Sequence, residues 1–432
     1  MEKIKVVWVC AFSSEEMRNR MPAKFSCLER FLYSFVTKGN KEYDFAPWNI
    51  NNIKIFETFD DVDLHIICPT RRIKKERNDF DLRGIHYHFF RDESTNLAHR
   101  LYRYFFTRYS SQFKRNRKLE LKIIEEIKPD IIHLIGAENY YYSNVLLDVP
   151  ENIPTLVQLQ TLVSDPRRCV PHYPNPKLRK YALESEQRIL RKANYIGATY
   201  LYHKEVILRD IAPNANILDL NLGSNNLIDF EYDQKDYDFV YFARDIKKAF
   251  ELVIEAFALS HAQRPHITLD VIGFCDEEYK KEINARIQEL GIQDSIKFEG
   301  LLPTIGDVMS QIKRSKFALL PIKGDMVSGT IYQAMSHGLP VVTCITPATP
   351  DLNKNRECVL LSAVGDHEAM AANMIKLIDN PDFANGLQHN AGLYIQERAS
   401  RQDAMRKWVK AYRACIDNFY HHTPFDTEFL FK

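Results

Sequence analysis

No window of the 432 residues approaches the ~20 apolar residues that a membrane-spanning helix needs, so the sequence offers no span. The opening MEKIKVVWVCAFSS holds an apolar run too short, and too soon interrupted, for a secretory signal. The eight cysteines (Cys10, Cys27, Cys68, Cys169, Cys275, Cys344, Cys358, Cys415) are scattered without a C-x-x-C pair, which removes the usual metal and redox spacings. Cys10, Cys68 and Cys344 fall in strand-like runs, and the set reads as reduced, mostly buried thiols. Charge bias is missing too: Lys+Arg 58 against Asp+Glu 57 leaves +1, and no nucleic-acid partner is expected from that total. No short period repeats, so the chain is not a solenoid. A cytoplasmic protein, free or peripheral on the cytosolic face of a membrane, is the expectation.

The chain has 45% hydrophobic residues, enough for two domains of roughly 200 residues, each with its own core. Ile4 to Ala11, Asp63 to Cys68, Ile85 to Phe90, Asp130 to Gly136, Pro154 to Gln160, Asn194 to Ala198 and Asn216 to Leu220 read as strands separated by helical spacing. Such alternation predicts an α/β fold with a doubly wound parallel sheet. It pauses over the polar residues 223 to 238, a linker, and restarts with Asp238 to Ala243, Ile267 to Gly273, Ser295 to Phe298, Phe317 to Leu320 and Pro340 to Cys344. The predicted domains are therefore 1–225 and 236–404. Beyond Pro381 the spacing is helical to about residue 420, with Trp408, Tyr412, Ile416 and Phe419 near one face.

Residues 317 to 344, FALLPIKGDMVSGTIYQAMSHGLPVVTC, hold a strand, a polar loop, a helix and a second strand with almost no slack. Ser328, Gly329 and Thr330 open the helix, and Gly338 ends it. The first N–H groups of a helix lack internal partners and carry about half a positive charge, so this opening suits a diphosphate. An ordinary strand-loop-helix with a glycine relieving crowding is the alternative. In DFVYFARDIKKAF, Arg244 and Lys247 place a guanidinium fork and a mobile ammonium at the end of a first strand, a pair suited to neutralising a departing diphosphate. A solvated helix start would carry the same residues. Gly273, just after a parallel strand, leaves room for a ligand at the sheet edge.

Residues 317 to 344 resemble the donor-site motif of glycosyltransferase family 4, in which an acidic residue, seven residues and a glutamate lead into Gly-Leu-Pro-Val-Val. Asp325 stands where that family usually has glutamate, and Gln333 stands at the second glutamate. The resemblance implies the GT-B architecture: two Rossmann-like domains facing a cleft, an acceptor domain first and a donor domain second, with the last helix, about 405–425, crossing back onto the first. It implies retaining, metal-independent transfer of a sugar from a nucleotide-diphosphate sugar to a glycan or lipid-linked acceptor, in cell-surface polysaccharide or glycolipid biosynthesis. No cofactor is expected beyond the nucleotide sugar as co-substrate. Asp325 would lie beside the sugar, acting with Arg244 and Lys247. Gly273 would lie near the phosphates, Leu301 and Leu302 near the base, Ser328, Gly329 and Thr330 at the diphosphate, and Gln333 at the ribose.

The first domain carries fainter signals. PTLVQLQ resembles the strand on which the family often places a histidine beside the sugar; Gln160 stands there and cannot change protonation near neutral pH. Front-face attack, with the departing phosphate taking the acceptor proton, needs no side-chain base. KPDIIHLIG is similar to the family strand with a buried histidine, which makes His133 structural. Ser13, Ser14 and Arg18 follow the first strand and are candidates for the acceptor or sugar side; an exposed polar loop is the alternative. Asp61-Val62-Asp63 precedes a strand without donor-site context and reads as a surface turn. Residues 99 to 118 interleave basic and aromatic side chains, compatible with an anionic membrane surface, with nucleic acid, or with a core helix bearing a basic face. Two other functions remain open: a catalytically silent nucleotide-sugar-binding scaffold and a nucleotide-sugar epimerase.

Overall fold

The apolar runs become strands in two separate sheets. The computed structural model describes residues 3–21, 45–70, 72–73, 75–93, 113–165, 176–223, 229, 235–324, 326–398 and 400–431. The chain divides into one unit of Met1–Ser164, His172–Gly223 and Arg401–Lys432, and another of Asp165–Pro171 and Ser224–Ser400.

The first unit is built on an eight-stranded sheet in the order β3-β4-β2-β1-β5-β6-β7-β8. Its strands are β1 (Ile4–Val9), β2 (Val62–Thr70), β3 (Arg77–Leu82), β4 (Ile85–Arg91), β5 (Ile131–Ile135), β6 (Thr155–Gln158), β7 (Tyr195–Ala198) and β8 (Asn216–Asp219). From Val6 to Val9, β1 is wholly apolar and buried because both its faces are covered. Val6, Trp8 and Cys10 enter one core and Val7, Val9 and Ala11 the other, as a period of two requires. Every pairing is parallel except β3 with β4. That antiparallel edge departs from the wholly parallel sheet expected. The hairpin turns through Arg83 and Gly84, both at positive φ (49° and 79°). RNDFDL reads poorly as a strand because an edge strand, half in water, needs no apolar run. Helices α1 (Glu15–Arg20), α2 (Pro47–Phe56) and α3 (Lys114–Ile127) belong to the same unit.

The last helix, Arg401–His421, packs on this sheet through Trp408, Val409, Tyr412 and Cys415, spaced to share one face. Trp8 Nε1 donates to the Tyr412 hydroxyl (2.9 Å), which in turn lies 2.7 Å from His133 Nδ1. The hydroxyl thus accepts from tryptophan and shares a second hydrogen bond with the imidazole. Trp408 stands edge-on to both rings and donates from Nε1 to the Asn221 carbonyl (2.9 Å). His133 is fully buried, and burial pushes its pKa down to about 3. Its setting is structural.

The second unit has a six-stranded, all-parallel sheet in the order β11-β10-β9-β12-β13-β14. The strands are β9 (Tyr237–Asp245), β10 (Leu269–Phe274), β11 (Ile296–Gly300), β12 (Ser315–Leu319), β13 (Val341–Cys344) and β14 (Val359–Ser362). The sequence reading lacked β14, a four-residue edge strand. Helices α4 (Phe250–Gln263), α5 (Glu277–Glu289) and α6 (Gly329–Ser336) open near the carboxyl ends of β9, β10 and β12. The chain steps outward from β9 to β11 and then returns to the other side of β9, so strand order reverses between β9 and β12. In open parallel sheets that reversal leaves a crevice at the carboxyl ends. Among the described residues, no helix is long and apolar enough to cross a membrane.

Candidate functional site

β9 ends at Arg244 and Asp245, and a single 3-10 turn, Ile246–Lys248, leads to α4. Asp245 Oδ1 accepts from the Lys247 amide (3.0 Å), fixing the turn. Arg244 is exposed at the strand end. Lys247 Nζ lies 2.5 Å from Asp276 Oδ2 and 5.3 Å from the Tyr279 ring centre. Asp276 also caps α5, accepting from the Tyr279 amide (2.9 Å). The hydrogen-bonded pair raises the pKa of Lys247 and lowers that of Asp276. An anion reaching Lys247 therefore competes with a carboxylate already in place.

Gly273 has φ of 151°, and a Cβ built on it would stand 2.0 Å from the Ala243 carbonyl oxygen. The room left by the missing side chain is occupied by the turn after β9, so this glycine serves close packing of two strand ends. Leu301 is exposed and Leu302 half-buried just after β11. On the β12 side, Lys323 pairs with Glu251 at the start of α4. Asp325, in the following loop, lies outside the described residues. Ser328 caps α6: its Oγ accepts from the Thr330 amide (3.4 Å) and lies 2.8 Å from Thr330 Oγ1. Gly329 is exposed, and a Cβ added there would meet nothing within 4 Å. Gln333 is half-buried one turn further on, and Gly338, at φ of 72°, follows the helix end.

Topology assembles these pieces. β10, β9 and β12 are adjacent and parallel, so Gly273, Arg244, Lys247 and the Ser328-Gly329-Thr330 opening occupy one edge, across the reversal of strand order. Two cationic residues and a capped helix start therefore share the end of the sheet at which open parallel folds leave a crevice.

In the first unit, strand order reverses between β1 and β5. Ser13 bridges to Phe45 through its backbone, and its Oγ accepts from Arg18 Nη1 (3.0 Å). Ser14 caps α1, accepting from the Met17 amide (3.3 Å). These three residues thus meet, with both hydroxyls engaged in local structure. Gln160, in the amide orientation that satisfies both neighbours, donates to Glu138 Oε1 (3.2 Å) and accepts from Trp48 Nε1 (2.9 Å). Glu138 is buried and also accepts from Asn139 Nδ2 (2.7 Å). It folds over Gly136, at φ of 91°, where a Cβ would meet its carboxylate at 2.8 Å. Sequence reasoning missed Glu138 and Trp48. The glycine after β5 was a signal for the first; nothing local marked the second.

Of the basic and aromatic stretch 99–118, residues 113–118 are described. Phe113 is buried against Tyr140 and Tyr141, while Arg115 and Arg117 pair with Glu76 and Asp148. Within this portion Phe113 and Asn116 are buried, while Lys114, Arg115 and Lys118 are exposed.

Residues 227–394 match the family model of glycosyl transferases group 1. The second unit is thus similar to group 1 glycosyl transferases over most of its length. An uncharacterized glycosyltransferase of Haemophilus influenzae is 25% identical over 137 residues, which span 32% of this chain and 37% of that protein. Sucrose-phosphate synthase from Thermosynechococcus elongatus superposes with a TM-score of 0.66 at 12% identity, over 95% of this chain and 99% of that one. Anabaena HepE, solved with UDP and glucose, gives 0.61 at 13% identity, over 95% and 100%. At these identities the likeness is one of fold, and the fold is GT-B.

Proposed function

We propose that this chain is a retaining glycosyltransferase that moves a sugar from a nucleotide-diphosphate sugar to a glycan or lipid-linked acceptor in the cytoplasm, serving polysaccharide or glycolipid synthesis. The supporting observation is that Arg244, Lys247 and the Ser328-capped start of α6 follow the carboxyl ends of the adjacent parallel strands β9 and β12. As the bond between sugar C1 and the diphosphate breaks, charge accumulates on the phosphate oxygens. Arg244 would meet it with a planar fork, Lys247 by exchanging Asp276 for phosphate, and α6 with unpaired N–H groups. On this reading, these groups rather than a metal neutralise the diphosphate. Asp325 is assigned to the donor sugar and Gln333 to the ribose. Gln160, held between Glu138 and Trp48, would orient sugar or acceptor. It is no proton carrier, so the acceptor hydroxyl bonds to C1 on the face the diphosphate leaves and its proton passes to a phosphate oxygen.

UDP is bound in the HepE structure, which puts UDP-sugars first in a donor screen. Thermal-shift titration against UDP-, GDP-, ADP- and CMP-sugars, without added metal, tests the reading. A donor at a hundredfold excess over its Kd stabilises by about 2.7 kcal/mol, and Arg244→Ala should abolish that gain. Failure of every nucleotide to bind would refute the donor site. The engagement of Lys247 by Asp276 and of Gln160 by its neighbours also favours a second reading, a nucleotide-sugar-binding scaffold. Binding without turnover of any acceptor separates it from the enzyme.

A further inference from the structure

The amino half of β2 and the hairpin β3–β4 bring together three histidines and three aspartates that the donor and acceptor chemistry does not use. Alternation puts Asp63 and His65 on one face of β2, and His86 and His88 on the same face of β4. Register sets His65 beside His86, with Asp81 and Asp79 of β3 opposite His86 and His88. His86 Nε2 is 3.1 Å from Asp63 Oδ1, and His65 Nε2 is 3.5 Å from Asp63 Oδ2.

His86 Nδ1 lies 2.6 Å from Asp81 Oδ1, and His88 Nδ1 lies 2.9 Å from Asp79 Oδ1. His65 Nδ1 lies 3.0 Å from His88 Nε2, so the two rings share one hydrogen bond. The Nδ1 side of each ring is thus engaged away from Asp63, and His65 Nε2 is buried without a hydrogen bond. With the Nδ1 protons on these outer partners, His65 and His86 can each offer an Nε2 lone pair to a cation beside the Asp63 carboxylate. Histidine ligands with the remote N–H on a carboxylate, directly for His86 and through His88 for His65, match the outer support usual at metal centres.

We propose that Asp63, His65 and His86 bind a divalent transition-metal ion of the zinc class. Bonds of 2.0–2.1 Å at tetrahedral angles place ligand atoms ~3.3 Å apart. The contacts of His86 Nε2 to Asp63 Oδ1 and of His65 Nε2 to Asp63 Oδ2 are near that value, and one ligand atom from each of the three residues lies within 4.8 Å of the others. The His65 and His86 rings are stacked, 4.5 Å apart and 20° from parallel, so binding requires them to rotate until both Nε2 lone pairs point at one ion. Two imidazoles and one carboxylate select zinc, cobalt or nickel over magnesium and calcium. His86 and Asp63 are about one-third exposed (35% and 28%), so the fourth position opens to water. Arg77, 3.3 Å from His88 Nδ1 and held by Asp79 and Glu126, places a positive charge beside the supporting histidine. The site is at the amino half of the sheet, away from its carboxyl edge. The ion would tie the hairpin to the parallel body of the sheet rather than take part in transfer.

The test uses tag-free, full-length protein stripped with chelator and titrated at pH 7.5 with Zn²⁺ by calorimetry and with Co²⁺ by visible absorption. One equivalent bound at micromolar affinity or tighter is expected, with a raised unfolding midpoint. His86→Gln and Asp63→Asn should each lose the Co²⁺ spectrum, and Asp81→Asn should weaken binding about 10- to 100-fold. Should His65→Gln fail to fold, the more exposed His86→Gln carries the test. No stoichiometric binding, or a His86→Gln variant that binds like wild type, overturns the proposal.

Discussion

Removing the hydroxyl of Tyr412 tests how the last helix is held. In Tyr412→Phe the ring and its packing stay, but Trp8 Nε1–H loses its acceptor and His133 Nδ1 its hydrogen-bond partner. Trp8, His133 and Tyr412 all have no exposed surface, so water cannot replace either bond without opening the core. An orphaned buried polar group costs about 1–3 kcal/mol, and two of them give ~2–5 kcal/mol. In a unit of roughly 250 residues each kcal/mol lowers Tm by ~2–4 °C, so the shift should be about 5–15 °C. Urea unfolding followed by tryptophan fluorescence reads the effect directly, because Trp8 and Trp408 flank the lost group. Trp8→Phe in the Tyr412→Phe background should then cost less than in wild type, since its N–H is already unpaired. A Tyr412→Phe loss below ~0.5 kcal/mol, or strictly additive substitutions, would refute this reasoning.

The two units should respond oppositely to acid. His133 stays neutral in the fold down to about 3 against an ordinary 6.5, so the unfolded chain binds more protons between those values; the first unit loses stability as pH falls below 6.5, by on the order of 4 kcal/mol. His133→Gln, which keeps a hydrogen-bonding side chain beside Tyr412 but cannot titrate, should flatten that slope in pH-dependent urea melts. Asp270 is buried in β10 and raised from 3.8 to about 6, so its contribution is present below 3.8 and is lost as pH rises through 6. Asp270→Asn should therefore stabilise the second unit at pH 7.5 by up to ~3 kcal/mol and leave it unchanged near pH 3.5. Gly273→Ala, forced against the Ala243 carbonyl, should destabilise the same unit by about 3 kcal/mol or more, measured by calorimetry. Asp276→Asn keeps a capping side chain while releasing Lys247, and should tighten nucleotide-sugar binding several-fold in thermal-shift titration; unchanged affinity would remove Lys247 from the diphosphate site.

Local pattern carried much of this molecule. Runs such as VVWV and FALL are apolar without break because parallel strands are covered on both faces, and alternation with helical spacing followed from that. The start of α6 was legible because a small polar cap, a glycine and a closing Gly338 lie within eleven residues of one another. β3 was not, since an edge strand half in water has no apolar signature. Partnership was not legible either. Whether Lys247 points at solvent or Asp276, whether Gln160 meets Glu138 and Trp48, and whether Tyr412 reaches Trp8 and His133 depend on strands and helices distant in the chain. The histidine cluster makes the point most directly: DLHIIC and IHYHFF each show alternation, but only the register pairing His65 with His86 turns two polar faces into one site. Periodicity along the chain records which face of an element is buried. Which residues then stand side by side is decided by the pairing of elements, a tertiary choice that no single segment contains.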